Sequence, residues 1–164
     1  MEEISNHFDS AGQAVMVDVS EKESTARMAR AGGFIQMNEA AFSAIEKGNG
    51  KKGDVLGVAR IAGIMAAKQC SALIPLCHPV ATEKATIEFI LHKESSKVEA
   101  ICSVLCTGKT GVEMEALCGA SLALLTIYDM CKAIDRAMVI HAVRLLEKRG
   151  GKSGHFLAED PYAV

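Results

Sequence analysis

Lys84-Ala85-Thr86-Ile87-Glu88-Phe89-Ile90-Leu91-His92, with the residues that follow it, decides the fold. Ala85, Ile87, Phe89 and Leu91 alternate with Lys84, Thr86, Glu88 and His92, the period of two expected of a half-buried strand. Lys93-Glu94-Ser95-Ser96 supplies a turn, and alternation resumes over residues 98–106, so two consecutive antiparallel strands are expected. Downstream, residues 112–134 carry the longest helical signal. Their uncharged stretch, 116–127, is too short to span a bilayer and reads as a buried central helix. Residues 138–146 then make a last strand. Upstream, residues 30–37 hold Gly32-Gly33 and Phe34-Ile35 and predict a first strand. Asn38 opens a short helix through Phe42 and Ile45, ended by Gly48-Asn49-Gly50. Asp54 is placed to cap a longer helix to about Cys70, with Val55, Val58, Ala62 and Met65 near helical spacing, before Pro75 and Pro79 fix a loop. The weakly alternating residues 14–20 read as an ordered N-terminal arm.

The order β-α-α-β-β-α-β predicts an α+β fold: a ferredoxin-like βαββαβ antiparallel sheet packed by helices on one face, with an extra short helix and the arm. No internal repeat or low-complexity linker divides the chain, so residues 1–164 are expected to form one domain with an ordered core over about 14–156.

Composition excludes several functions. The 164 residues carry 18 Lys+Arg against 20 Asp+Glu, a net charge of -2, so no global positive field attracts nucleic acid or an anionic membrane. Aromatics are 4% and Trp is absent, which removes base-stacking platforms. The acidic start Met1-Glu2-Glu3-Ile4-Ser5 lacks the apolar core of a signal peptide, and a cytoplasmic location is expected. Six cysteines (70, 77, 102, 106, 118 and 131) form no Cys-x-x-Cys pair, so free thiols are expected and no metal set is assigned.

Two segments, Gly108-Lys109-Thr110-Gly111 and Gly151-Lys152-Ser153-Gly154, resemble the tail of a phosphate loop. The glycine that would complete each is replaced by Ser103 and Leu146, so the nucleotide-hydrolysing P-loop is unsupported. Local phosphate binding by backbone N–H groups and lysine remains open, as does a plain turn. Asp129 and Lys132 lie three apart and share a helix face, either as an ordinary surface ion pair or as a base beside a held ammonium. Glu115 falls near the same stripe as Asp129, but fourteen residues of helix separate them by about 21 Å. A site using both therefore points to a second subunit. His78, braced by Pro79, suits proton transfer or phosphate contact, or is a hydrogen-bonded loop histidine. Lys51 and Lys52 before Gly53-Asp54, and Arg27, Lys148 and Arg149, are solvated charges or anion contacts.

Longer blocks carry a resemblance: Met16-Val17-Asp18-Val19-Ser20, Lys52-Gly53-Asp54-Val55, Ala59-Arg60-Ile61-Ala62-Gly63-Ile64, Leu73-Ile74-Pro75-Leu76-Cys77-His78-Pro79, residues 107–117, Leu125-Thr126-Ile127-Tyr128-Asp129-Met130-Cys131-Lys132 and the Gly150 to Gly154 ending. Over about residues 10–156 the chain resembles the molybdenum cofactor biosynthesis protein C family, the cyclic pyranopterin monophosphate synthases. The resemblance implies a lyase that converts 3′,8-cyclo-7,8-dihydroguanosine triphosphate to cyclic pyranopterin monophosphate and releases diphosphate, without net redox chemistry. It places the catalytic aspartate on Asp129 and the essential lysines on Lys52 and Lys132. Substrate-binding positions fall on Leu76, Cys77 and His78 and on Met114 and Glu115, with Asp18, Arg27, Glu113, Lys148 and Lys152 as further pocket residues. It implies no bound cofactor, with Mg²⁺ left open as a companion of the triphosphate. The partners implied are a nucleotide-derived small molecule and further copies of the chain, in a homohexamer built as a trimer of dimers with sites between subunits; neither nucleic acid nor membrane is called for. Cys70 and Cys118 stand where the family often has threonine, and Gly119 where it commonly has alanine, at an expected cost of roughly 1 kcal/mol to the helix. The rival readings are a metal-dependent phosphohydrolase using His78, Glu115 and Asp129, and a non-enzymatic oligomeric binding module.

Overall fold

The computed structural model describes residues 7–48 and 53–159. Lys52 therefore lies outside the described residues, as do Asn49 and Gly50. Strands β1 (Thr25–Gln36), β2 (Lys84–His92), β3 (Lys97–Gly108), β4 (Val139–Arg149) and β5 (Phe156–Leu157) form one sheet in the order β2-β3-β1-β4-β5, every neighbouring pair antiparallel. Without the two-residue β5 this is the strand order of the split βαβ fold, as the element order predicts. Helices α1 (Glu39–Glu46), α2 (Val55–Lys68), α3 (Cys70–Leu73) and α4 (Glu113–Cys131) complete it.

The capping predictions hold. Asn38 accepts from the Ala41 N–H and Asp54 from the Gly57 N–H, each satisfying a free donor of a first helical turn. The long helix ends at Lys68 rather than continuing to Cys70. Gln69 leaves helical geometry and Cys70–Leu73 restarts as a separate turn. At its start β1 runs five residues beyond the apolar segment, because the ladder Thr25–Gly108 to Ala29–Val104 pairs backbone whatever the side chains are.

The core lies between the sheet and α4. Ala116, Ala120, Ala123, Leu124 and Ile127 are completely buried against Ala29, Ala31, Ile35, Cys102 and Val104. Although α4 is apolar and long enough to cross a membrane by composition, α2, β1, β3 and β4 pack around it, so it is the core helix expected. Small residues bring α2 and α4 together: a Cβ on Gly119 would lie 2.5 Å from Cys102 Sγ and 3.2 Å from the Gly63 carbonyl oxygen. Gly119 is thus a close-approach position, which the propensity argument alone does not reveal.

Candidate active site

The first turn of α4 and the proline-braced loop after α3 meet around a cavity of about 270 Å³. Leu76, Cys77 and His78 come from the loop, Glu113, Met114 and Glu115 from the helix, with Thr110 and Gly111 between. Glu115 is only 2% exposed, and its Oε2 has no hydrogen-bond partner among the described residues. The Cys77 thiol faces Glu115 Oε1 at 3.9 Å. Burial pushes the Glu115 carboxyl above its ordinary value, and it raises the Cys77 thiol, with the Glu115 charge adding to the shift. His78 Nε2 lies 2.6 Å from the Val17 carbonyl oxygen. A carbonyl only accepts, so Nε2 is the donor in this contact.

Thr110, Gly111 and Glu113 also wall a second cavity of about 790 Å³, so the two cavities adjoin. Its cations are Lys22, Arg27, Lys109, Lys148 and Lys152, with Thr25 and Ser153 adding hydroxyls. Both Gly-Lys-hydroxyl-Gly segments line it, one from the β3–α4 loop and one from the turn after β4. Arg27 braces the first, donating from Nε to the Gly108 carbonyl at 3.1 Å and from a terminal nitrogen to the Lys109 carbonyl at 3.3 Å. Gly151, at φ +74°, admits the same guanidinium; a Cβ there would collide with it. Lys148 Nζ donates to Ser153 Oγ at 2.7 Å and pairs with Glu113 at 3.1 Å. Lys109 Nζ donates to the Ser20 carbonyl at 2.5 Å and ties the arm to the cleft. On that arm Asp18 accepts from the Ser20 N–H at 2.8 Å, the leading reason its carboxyl is held below the usual range; Lys109 and His78 lower it further.

Fold and cleft together therefore gather Leu76, Cys77, His78, Glu113, Met114 and Glu115 at one cavity and Arg27, Glu113, Lys148 and Lys152 at its neighbour, with Asp18 on the adjoining arm. They do not bring in Asp129 and Lys132. This pair, 2.7 Å apart and exposed, sits at the far end of α4, where Asp129 holds the Lys132 ammonium above its ordinary value by hydrogen bond and charge. Lys132 is the C-cap of the helix rather than part of a run to residue 134. Lys109, Thr110 and Ser153 join the candidate site although the sequence reading singled out only their motifs; their glycine-lysine-hydroxyl signal was legible. Lys22 and the Ser20 carbonyl carried no such signal.

A ferredoxin-like α+β protein with a cation-lined cleft adjoining a buried carboxyl and a half-buried thiol and imidazole is the class this arrangement defines. The MoaC family model matches residues 16–151. The chain is 58% identical over 159 residues, 97% of its length and all of the relative's, to the cyclic pyranopterin monophosphate synthase of Clostridium botulinum (strain Alaska E43 / Type E3). It is 56% identical over 155 residues, 94% of both chains, to the cyclic pyranopterin monophosphate synthase of Desulfitobacterium hafniense (strain DSM 10664 / DCB-2). The chain belongs to the MoaC family.

Proposed function

We infer that the chain is the lyase of molybdenum cofactor biosynthesis that converts 3′,8-cyclo-7,8-dihydroguanosine triphosphate to cyclic pyranopterin monophosphate and diphosphate. The observation that carries the reading, beside near-full-length identity to two enzymes of that name, is the shared wall at Thr110, Gly111 and Glu113. A polyphosphate chain fits the cation-lined cavity, and the purine-derived part then enters the neighbouring cavity over His78, Cys77 and Glu115. Arg27, Lys109, Lys148 and Lys152 offset the charge of the triphosphate and of the departing diphosphate. His78 donates from Nε2 to Val17 and offers its second ring nitrogen for moving a proton during ring opening and closure, and buried Glu115, with its raised carboxyl, is suited to hold one.

Asp129, Lys132 and Lys52 are proposed as the reactive core, contributed to the cavities of a neighbouring copy. Asp129 acts as base or as orienter of Lys132, and the lysines deliver protons and stabilise developing negative charge. Two features support sharing. Asp129 lies about 21 Å along α4 from Glu115. The outward faces of α2 and α4 also expose Ile61 (62%), Met65 (52%) and Leu125 (51%), apolar area that a partner copy would cover. The assembly proposed is a homohexamer, a trimer of dimers, working in the cytoplasm without a bound cofactor; Mg²⁺ accompanies the triphosphate if present. The rival phosphohydrolase using His78, Glu115 and Asp129 would release orthophosphate in place of diphosphate. Incubating the purified protein with the cyclic dihydroguanosine triphosphate, without redox reagents, tests the reading. Stoichiometric diphosphate and cyclic pyranopterin monophosphate are expected; release of orthophosphate, or no turnover, overturns it.

A further inference from the structure

Cys70 is fully buried in α3, outside the assignments made above, yet its Sγ lies 3.8 Å from Cys77 Sγ and 3.6 Å from Cys118 Sγ. Cys77 Sγ in turn faces Glu115 Oε1 at 3.9 Å. One donor atom each from Cys70, Cys77 and Glu115 lies within 4.8 Å of the others. We propose that these three residues bind one divalent cation of borderline softness, with zinc as the reference ion and a fourth position open to the smaller cavity.

Geometry favours this over a disulfide. Two thiolates on a tetrahedral zinc, each about 2.3 Å from the ion, stand about 3.8 Å apart. A disulfide needs about 2.05 Å. The carboxyl provides an independent observation. Glu115 is 98% removed from solvent and its Oε2 has no partner among the described residues, an orphan that a bound cation satisfies. Three separate segments, α3, the loop at Cys77 and the first turn of α4, supply the ligands, so the site is made by the fold and no local spacing announces it. Cys118, one turn along α4 from Glu115, stands behind Cys70 and can donate S–H to its thiolate, the outer-shell contact that steadies a metal ligand. Binding releases the thiol protons of Cys70 and Cys77 to solvent. An ion here takes two side chains of the smaller cavity, so Glu115 can hold a proton for the proposed reaction only in the metal-free chain.

Cobalt(II) titration of the full-length protein, freed of metal and kept reduced with a phosphine, tests the proposal. The expected result is one cobalt per chain, with a thiolate-to-cobalt charge-transfer band and the intense visible bands of tetrahedral coordination, both abolished by zinc. Cys70→Ala should weaken binding at least about 100-fold, with Cys70→Thr as a second variant if alanine does not fold; Cys131→Ala, remote from the cluster, should bind as the parent does. Zinc should also shield the half-buried Cys77 from alkylation mapped by mass spectrometry. No charge-transfer band at excess cobalt, or binding unchanged in a folded Cys70 variant, would overturn the site.

Discussion

Lys148 stands 3.1 Å from the Glu113 carboxylate, and that contact joins the end of β4 to the first turn of α4 at the wall both cavities share. Removing the ammonium leaves Glu113 facing the polyphosphate cavity without its counter-charge. Lys148→Ala is expected to weaken diphosphate binding about 10-fold to 100-fold, the range of one charge-assisted hydrogen bond. A dephosphorylated analogue should bind as before. Isothermal titration with both ligands checks this; equal weakening of the two would remove the phosphate role.

At the other end of α4 the exposed Asp129–Lys132 pair makes little difference to folding. Asp129→Ala should lower stability by less than about 1 kcal/mol, as exposed pairs do, while product formation falls to background. Urea unfolding and turnover measured on the same preparation separate the two effects. Near-parental turnover in the folded variant contradicts the assignment.

Much of this was legible in sequence because it rests on local chemistry. The alternation at Ala85–Ile87–Phe89 and the caps Asn38 and Asp54 are read from period and side-chain type, and the strand order follows from the element order. What escaped is long-range. Thr25–Arg27 joins β1 through backbone pairing with β3, which polar side chains conceal. Phe156 and Leu157 form β5 only because β4 offers an edge. At the site, the two Gly-Lys-hydroxyl-Gly segments are about forty residues apart and only the fold shows that they line one cavity. Cys70 meets Cys118, 48 residues away, by the same kind of long-range approach.

Glu115 gives stability a predictable pH dependence. Its folded carboxyl is raised above the ordinary value of 4.5, chiefly by burial. Below that value both folded and unfolded states hold the proton; above it the unfolded chain ionises first, so stability falls as pH rises towards the folded value. Glu115→Gln stays neutral throughout. Its stability relative to the parent should therefore grow as pH is raised from about 4.5, measured by urea unfolding across a pH series. A difference that is flat or shrinks with pH would contradict a raised carboxyl.

Gly119 should not accept alanine freely despite lying in a helix. The new methyl gains about 1 kcal/mol of helix propensity but enters the space of Cys102 Sγ, at 2.5 Å, and approaches the Gly63 carbonyl at 3.2 Å. Overpacking of this kind costs about 1–3 kcal/mol, so Gly119→Ala is expected to destabilise. Cys102→Ala should relieve it, giving a favourable coupling of roughly 1 kcal/mol or more in a double-mutant cycle. Additive effects would mean the sulfur moves aside without cost.

The central claim is that one working site draws Glu115 and Asp129 from different copies of the chain, and mixing inactive variants tests it most directly. Glu115→Ala and Asp129→Ala proteins, each inactive alone, are combined in equal amounts, taken through subunit exchange verified by mass, and assayed for diphosphate release from the cyclic dihydroguanosine triphosphate. Random pairing restores an intact residue set in about a quarter of the shared sites, so activity should return to about that fraction of the parent's. No recovery despite verified exchange, or full activity in a stable monomer of the parent, would contradict the shared site.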